Sequence, residues 1–89
     1  MSAETVELLR QRLAALQPIS IVIHDDSQRH AGHAGARDGG GHYQLEIVAD
    51  AFAGKNTMAR HRMIYDAAGE LMRGPIHALS IVAKIPGEV

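Results

Sequence analysis

No cysteine and no tryptophan occur in the 89 residues, and the aromatic residues amount to one Phe and two Tyr. The lack of cysteine excludes disulfide stapling, thiolate zinc sites and every cysteine nucleophile. Any soft-metal chemistry must borrow its sulfur from another molecule. An excess of one charge is also lacking: nine Lys/Arg against ten Asp/Glu give a formal charge of −1. With a pI near 6.6, nothing global favours nucleic acid or an anionic membrane, and such binding would need a local patch. No apolar run approaches the ~18 residues of a membrane span. Glu4 and Glu7 stand where a secretory or mitochondrial leader would be basic, so the expectation is a cytoplasmic chain with no membrane partner.

What is present is a 46% hydrophobic fraction and six histidines. A chain of this length buries roughly 60–65% of the surface it exposes when unfolded, so a compact, mostly regular single domain over 1–89 is expected. Histidine, over-represented beside so few aromatics, is the place to look for chemistry.

Val6, Leu9, Leu13 and Leu16 fall at helical spacing, with Glu4 and Glu7 near the positive end of the dipole, and Pro18 stops the helix. Residues 19–24 are β-branched and alternating, which predicts a strand with Ile19, Ile21 and Ile23 on one face. Residues 25–42 hold five of the nine glycines and three of the six histidines, and have neither a helical nor a strand period. A loop of that length is usually functional or disordered. Residues 43–49 alternate again, placing Tyr43, Leu45, Ile47 and Ala49 on one face of a second strand, antiparallel to the first. Asn56 or Thr57 is the expected N-cap of a helix running to about Arg73, with Ile64, Ala68, Leu71 and Met72 on its core face and Gly74-Pro75 as its stop. Residues 76–85 read as a third strand, closed by Pro86. The strand-helix-strand crossover makes this strand parallel to the second. The expectation is an α+β fold, α-β-β-α-β, with a three-stranded mixed sheet and both helices on one face.

Because the second helix returns the chain to where the second strand began, His77 should lie near His42, and loop residues His30 or His33 could approach the same point. Two imidazoles without thiolates make a poor closed structural site, but can serve as half of a shared one. The plain alternatives are a solvated loop histidine and a hydrogen-bonded strand histidine. Asp25 and Asp26 could add oxygen ligands, or form an Asx turn. Lys55, Arg60 and Arg62 near the start of the second helix are the one nucleic-acid argument, although consecutive helical positions diverge by about 100°, so Arg60, His61 and Arg62 cannot all line one groove, and a solvated helix face is the plain alternative. The glycine-rich loop joins two strands, opens no helix and has no Lys-Ser/Thr after it, so it does not fit a phosphate loop. No Ser lies in a nucleophile elbow, and no enzyme activity is expected.

Asp25-Asp26-Ser27, His30-Ala-Gly-His33-Ala-Gly-Ala-Arg-Asp-Gly-Gly-Gly-His42-Tyr43, Phe52-Ala-Gly54-Lys55, Arg60-His61-Arg62-Met63-Ile64-Tyr65 and Ile76-His77-Ala78-Leu79-Ser80 together resemble the BolA family in order and spacing. The match runs from the first helix to Pro86-Gly87-Glu88. The resemblance implies a domain similar to the class II KH fold, and partnership with a monothiol glutaredoxin. In such complexes a two-iron two-sulfur cluster bridges the partners; the glutaredoxin cysteine and glutathione give the sulfur side, and the BolA protein gives histidine. His77 matches the family's cluster histidine. The second ligand falls in the loop, as His33 or His30, with His33 preferred on its nine-residue spacing to His42. Imidazole in place of thiolate raises a cluster's potential and leaves ligands that protonate near pH 6–7, which implies lability in acid.

The function implied is a non-enzymatic adaptor in iron-sulfur cluster assembly, trafficking or iron sensing, a monomer or weak homodimer when alone. The alternative, from BolA-like proteins that act as transcription regulators, is DNA binding through Lys55, Arg60 and Arg62.

Overall fold

The computed structural model describes residues 2–26 and 41–88. Helix α1 covers Ser2–Leu13 and tightens into a 3-10 turn at Ala14–Leu16. Its apolar stripe is the expected one: Leu9 and Leu13 are fully buried, and Val6 and Leu16 pack at the margin. The last turn closes where the Gln17 amide donates to the Ala14 carbonyl (2.9 Å). Gln17 then takes a left-handed φ of 53°, and Pro18, which has no amide to donate, sends the chain into the sheet.

Strand β1 (Ser20–Asp25) pairs antiparallel with β2 (Gly41–Val48), Ser20 opposite Val48 and Asp25 opposite Tyr43. Ile21 and Ile23 face the core as expected, but Ile19 precedes the strand and is 62% exposed. On β2, Tyr43, Leu45 and Ile47 are buried and alternate with exposed Gln44 and Glu46, the pattern of a strand with one wet face. This strand begins two residues earlier than its alternation predicts. Pairing draws Gly41 and His42 in from both sides: the Gly41 amide donates to the Pro75 carbonyl (2.9 Å), and the Asp26 amide donates to the His42 carbonyl (2.7 Å). His42 is therefore a strand residue rather than the edge of a loop.

After β2 a 3-10 turn, Asp50–Phe52, buries Phe52 completely. Asn56 is the N-cap of α2 (Thr57–Ala68), its side-chain oxygen accepting from the Ala59 amide at 2.8 Å. The helix does not run unbroken to Arg73. Gly69, at φ 58°, ends it after 12 residues, about 18 Å, and a 3-10 segment, Gly69–Arg73, carries the chain on. Glycine alone accommodates that conformation without a Cβ penalty. The tighter winding still buries Leu71, while Met72 packs at the core margin. Strand β3 (Ile76–Lys84) then runs parallel to β2.

The sheet order is β1-β2-β3, and both helices cover one face, so the architecture is the α+β, three-stranded mixed arrangement expected. The core joins Leu9 and Leu13 of α1, Ile64 and Ala68 of α2, and Tyr43, Leu45 and Ile47 of β2. The other face carries His42, Gln44, Glu46 and Val48 of β2, paired with Ala78, Ser80, Val82 and Lys84 of β3.

Gly41 is buried beneath Tyr43. A Cβ there would lie 2.5–2.7 Å from the Tyr43 ring, and that ring, 4% exposed, cannot move without opening the core. Gly41→Ala is expected to destabilise the fold by about 1–3 kcal/mol through overpacking. Ser80→Ala, on the exposed face of β3, should stay within about 0.5 kcal/mol of wild type. Urea denaturation of the two variants gives the comparison.

Candidate functional site

His77 is exposed at the second position of β3, beside the first residues of β2. Gly41 pairs with Ile76 and His42 pairs with Ala78, so the register shifts by one residue at His77. Such an irregularity re-aims a side chain at a strand end. Here it sets the His77 ring against the His42 ring, with centroids 5.1 Å apart and planes tilted by 42°. The expected proximity of His77 and His42 is thus present. His42 is the site residue that sequence reasoning left out of the ligand set. Its signal was there in its place directly before an alternating strand.

Both ends of the connection between β1 and β2 lie at this same end of the sheet, because the Asp26 amide is bonded to His42 and Gly41 is bonded to Pro75. His30 and His33 belong to that connection and lie outside the described residues. Asp25 pairs with Tyr43 in the ladder, and the Asp26 carboxylate accepts a hydrogen bond from the Gln44 amide; the amides that an Asx turn from either would use belong to residues 27 and 28, outside the described residues. Among the described residues no three His, Asp or Glu side chains converge as a metal site. What the described residues bring together is two imidazoles at an exposed sheet corner.

The three basic residues divide. Lys55 and Arg62 are exposed. Arg62 lines an open groove of about 590 Å³ along α2 with Met58, His61 and Tyr65. Arg60 is 13% exposed, and its guanidinium is used within the fold. Nε donates to the Lys55 carbonyl (2.9 Å), Nη1 to the Ala83 carbonyl (2.9 Å), and Nη1 and Nη2 to the Glu88 carboxylate (2.7 and 3.3 Å). The same carboxylate accepts from the Ile85 amide (3.0 Å). Hydrogen bonds from Arg60 and then from Ile85 hold the Glu88 carboxyl below its ordinary value of 4.5, with the charges of Arg60 and Lys84 adding to the effect.

The BolA-like protein profile matches residues 13–88. The chain belongs to the BolA family. Among its relatives, SufE-like protein 1, chloroplastic/mitochondrial, of Arabidopsis thaliana is 46% identical over 87 residues, 91% of this chain and 24% of the relative. The DNA-binding transcriptional regulator BolA of Escherichia coli K12 is 34% identical over 79 residues, 83% of this chain and 72% of the relative. The chain spans about half of a further Arabidopsis relative, Protein BOLA1, chloroplastic (52%). Among solved structures, BolA1 from Arabidopsis thaliana superposes with a TM-score of 0.79 at 35% identity, covering 96% of this chain and 95% of that one. No helix of the described residues is long and apolar enough to cross a membrane.

The depressed Glu88 carboxyl fixes the sign of its pH dependence. Its tie to Arg60 is fully present above the ordinary value of 4.5 and is lost as pH falls through the lower folded-state value. A carbon-detected NMR titration of the Glu88 side chain is expected to give a midpoint below 4.5, and Arg60→Gln should return it towards 4.5. An unchanged midpoint in Arg60→Gln would contradict the assignment of the shift to Arg60.

Proposed function

We propose that this BolA-family chain is a non-enzymatic cytoplasmic adaptor in iron-sulfur cluster assembly, trafficking or iron sensing. Its partner is a monothiol glutaredoxin, and the two share a two-iron two-sulfur cluster as cargo. The glutaredoxin cysteine and glutathione supply sulfur, and this chain supplies imidazole from His77 and from His33 or His30. The observation that supports the reading most is the exposed His77 ring at the sheet corner, with His42 beside it.

The donor chemistry fits such a half-site. The chain has no cysteine, so it cannot close a cluster alone, whereas histidine in place of two thiolates is an established ligand pattern for two-iron clusters. Reach also fits: His33 is eight residues from Gly41 in sequence, and eight extended residues span at most roughly 26–29 Å. Both ends of the connection that carries it are fixed next to His42. His42 adjoins His77 closely enough to orient it or to take its place beside the iron.

A second reading, DNA binding, has the name of the Escherichia coli relative in its favour. Lys55 and Arg62 are exposed for it, but Arg60 would first have to leave Glu88. With two phosphate contacts, the slope of log affinity against log salt would be only about −2.

Anaerobic reconstitution with a monothiol glutaredoxin, iron, sulfide and glutathione, followed by visible circular dichroism, tests the proposal. Wild type is expected to convert the glutaredoxin homodimer spectrum to a new one, and His77→Ala to leave the homodimer spectrum in place. Parallel His30→Ala, His33→Ala and His42→Ala variants identify the second ligand. A homodimer spectrum at every ratio of wild type would overturn the cluster reading and turn attention to a salt-dependent DNA titration.

A further inference from the structure

Arg60 is held unlike an ordinary helix-surface arginine. Carbonyls from two separate parts of the chain, Lys55 before α2 and Ala83 in β3, fix the plane of its guanidinium. The remaining edge of the fork then points at one place, where the Ile85 amide also points. The Arg60 fork borders an open cleft of about 340 Å³ between α2 and β3, whose lining includes His61, Val82, Lys84 and Glu88. A guanidinium already immobilised by backbone carbonyls has lost its rotamer freedom before any anion arrives, which is what favours recognition of a planar carboxylate.

The present occupant is weakly committed. Glu88 closes the turn Ile85–Glu88 through its backbone amide, which donates to the Ile85 carbonyl (3.1 Å), with Gly87 at φ 84°. Its side chain is 38% exposed, and rotating it outward keeps the backbone bond of the turn and the Arg60 bonds to Lys55 and Ala83, while freeing the Ile85 amide and the Arg60 fork.

We propose that Arg60 and the Ile85 amide form a carboxylate-recognition site, filled in cis by Glu88 and open in trans to a Glu or Asp side chain of an acidic partner segment that displaces it. The fork matches a carboxylate, and the open cleft beside β3 leaves room for the stem that carries it. A nucleic-acid backbone is disfavoured because it needs a longer row of cations than Arg60 and Lys84, the two Lys/Arg side chains that line this cleft. The site stands apart from the cluster reading: six residues of β3, roughly 20 Å, separate His77 from Ala83. Either can fail without the other.

The probe is the chain's own turn sequence as an N-acetylated, C-amidated peptide, Ile-Pro-Gly-Glu, with Ile-Pro-Gly-Gln and inorganic phosphate as controls. It is titrated into nitrogen-15-labelled wild type and into Glu88→Ala, reading the Ile85 amide and the Arg60 Nε–H by NMR. In Glu88→Ala the Glu peptide is expected to move both signals back towards their wild-type positions, at concentrations about tenfold lower than wild type needs, since cis occupancy scales the apparent affinity. The Gln peptide should have little effect. Equal response of Glu88→Ala and wild type, equal binding of the Gln peptide, or tighter binding of phosphate than of the Glu peptide would each overturn the proposal.

Discussion

The parallel pairing of β2 with β3 is the constraint on which the site depends. A parallel neighbour requires a crossover, and here Asn56, α2, the 3-10 segment and Gly74-Pro75 provide it. The crossover sets the start of β3 against the start of β2, where the Gly41 amide meets the Pro75 carbonyl and the register shifts at His77. Two histidines 35 positions apart in the sequence become ring neighbours only through this return. Gly41 is part of the same constraint, because only a residue without a side chain lets Tyr43 close the core at the strand end.

Much of this was legible in the sequence, for reasons that can be traced to particular residues. Tyr43, Leu45, Ile47 and Ala49 alternate without interruption, so their buried face could be read directly, and Leu9 and Leu13 mark α1 equally clearly. The order of elements follows from those periods, and the nearness of His42 to His77 from the crossover. The two largest boundary differences share a cause: each depends on glycine. Gly41 looks like a loop residue because strand propensity counts against it, yet ladder bonds and the Tyr43 ring hold it in β2. Gly69 sits within an apparently continuous helical pattern, and only its positive φ divides α2 from the 3-10 segment.

The basic motif shows a different limit. Arg60, His61 and Arg62 are adjacent in sequence and point in different directions, so no reading of local charge separates their roles. The partner that fixes Arg60 is Glu88, 28 positions away, together with the Ala83 carbonyl. An exposed ion pair contributes little to stability as a rule. This one matters through geometry, because it joins the turn after β3 to the start of α2. The result is a strand with different chemistry at its two ends: imidazole at the first, and an oriented guanidinium at the last.

Pulsed EPR of the reduced complex with a monothiol glutaredoxin is the measurement that decides whether His77 ligates an iron of the proposed cluster. Histidine nitrogen bound to iron gives strong nitrogen hyperfine couplings, and replacing nitrogen-14 by nitrogen-15 in this chain alone would assign them to it. Ligation by His77 predicts couplings that change with labelling of this chain and lose the His77 contribution in His77→Ala. A reduced cluster with no nitrogen coupling from this chain, or with couplings unaffected by His77→Ala, would contradict it.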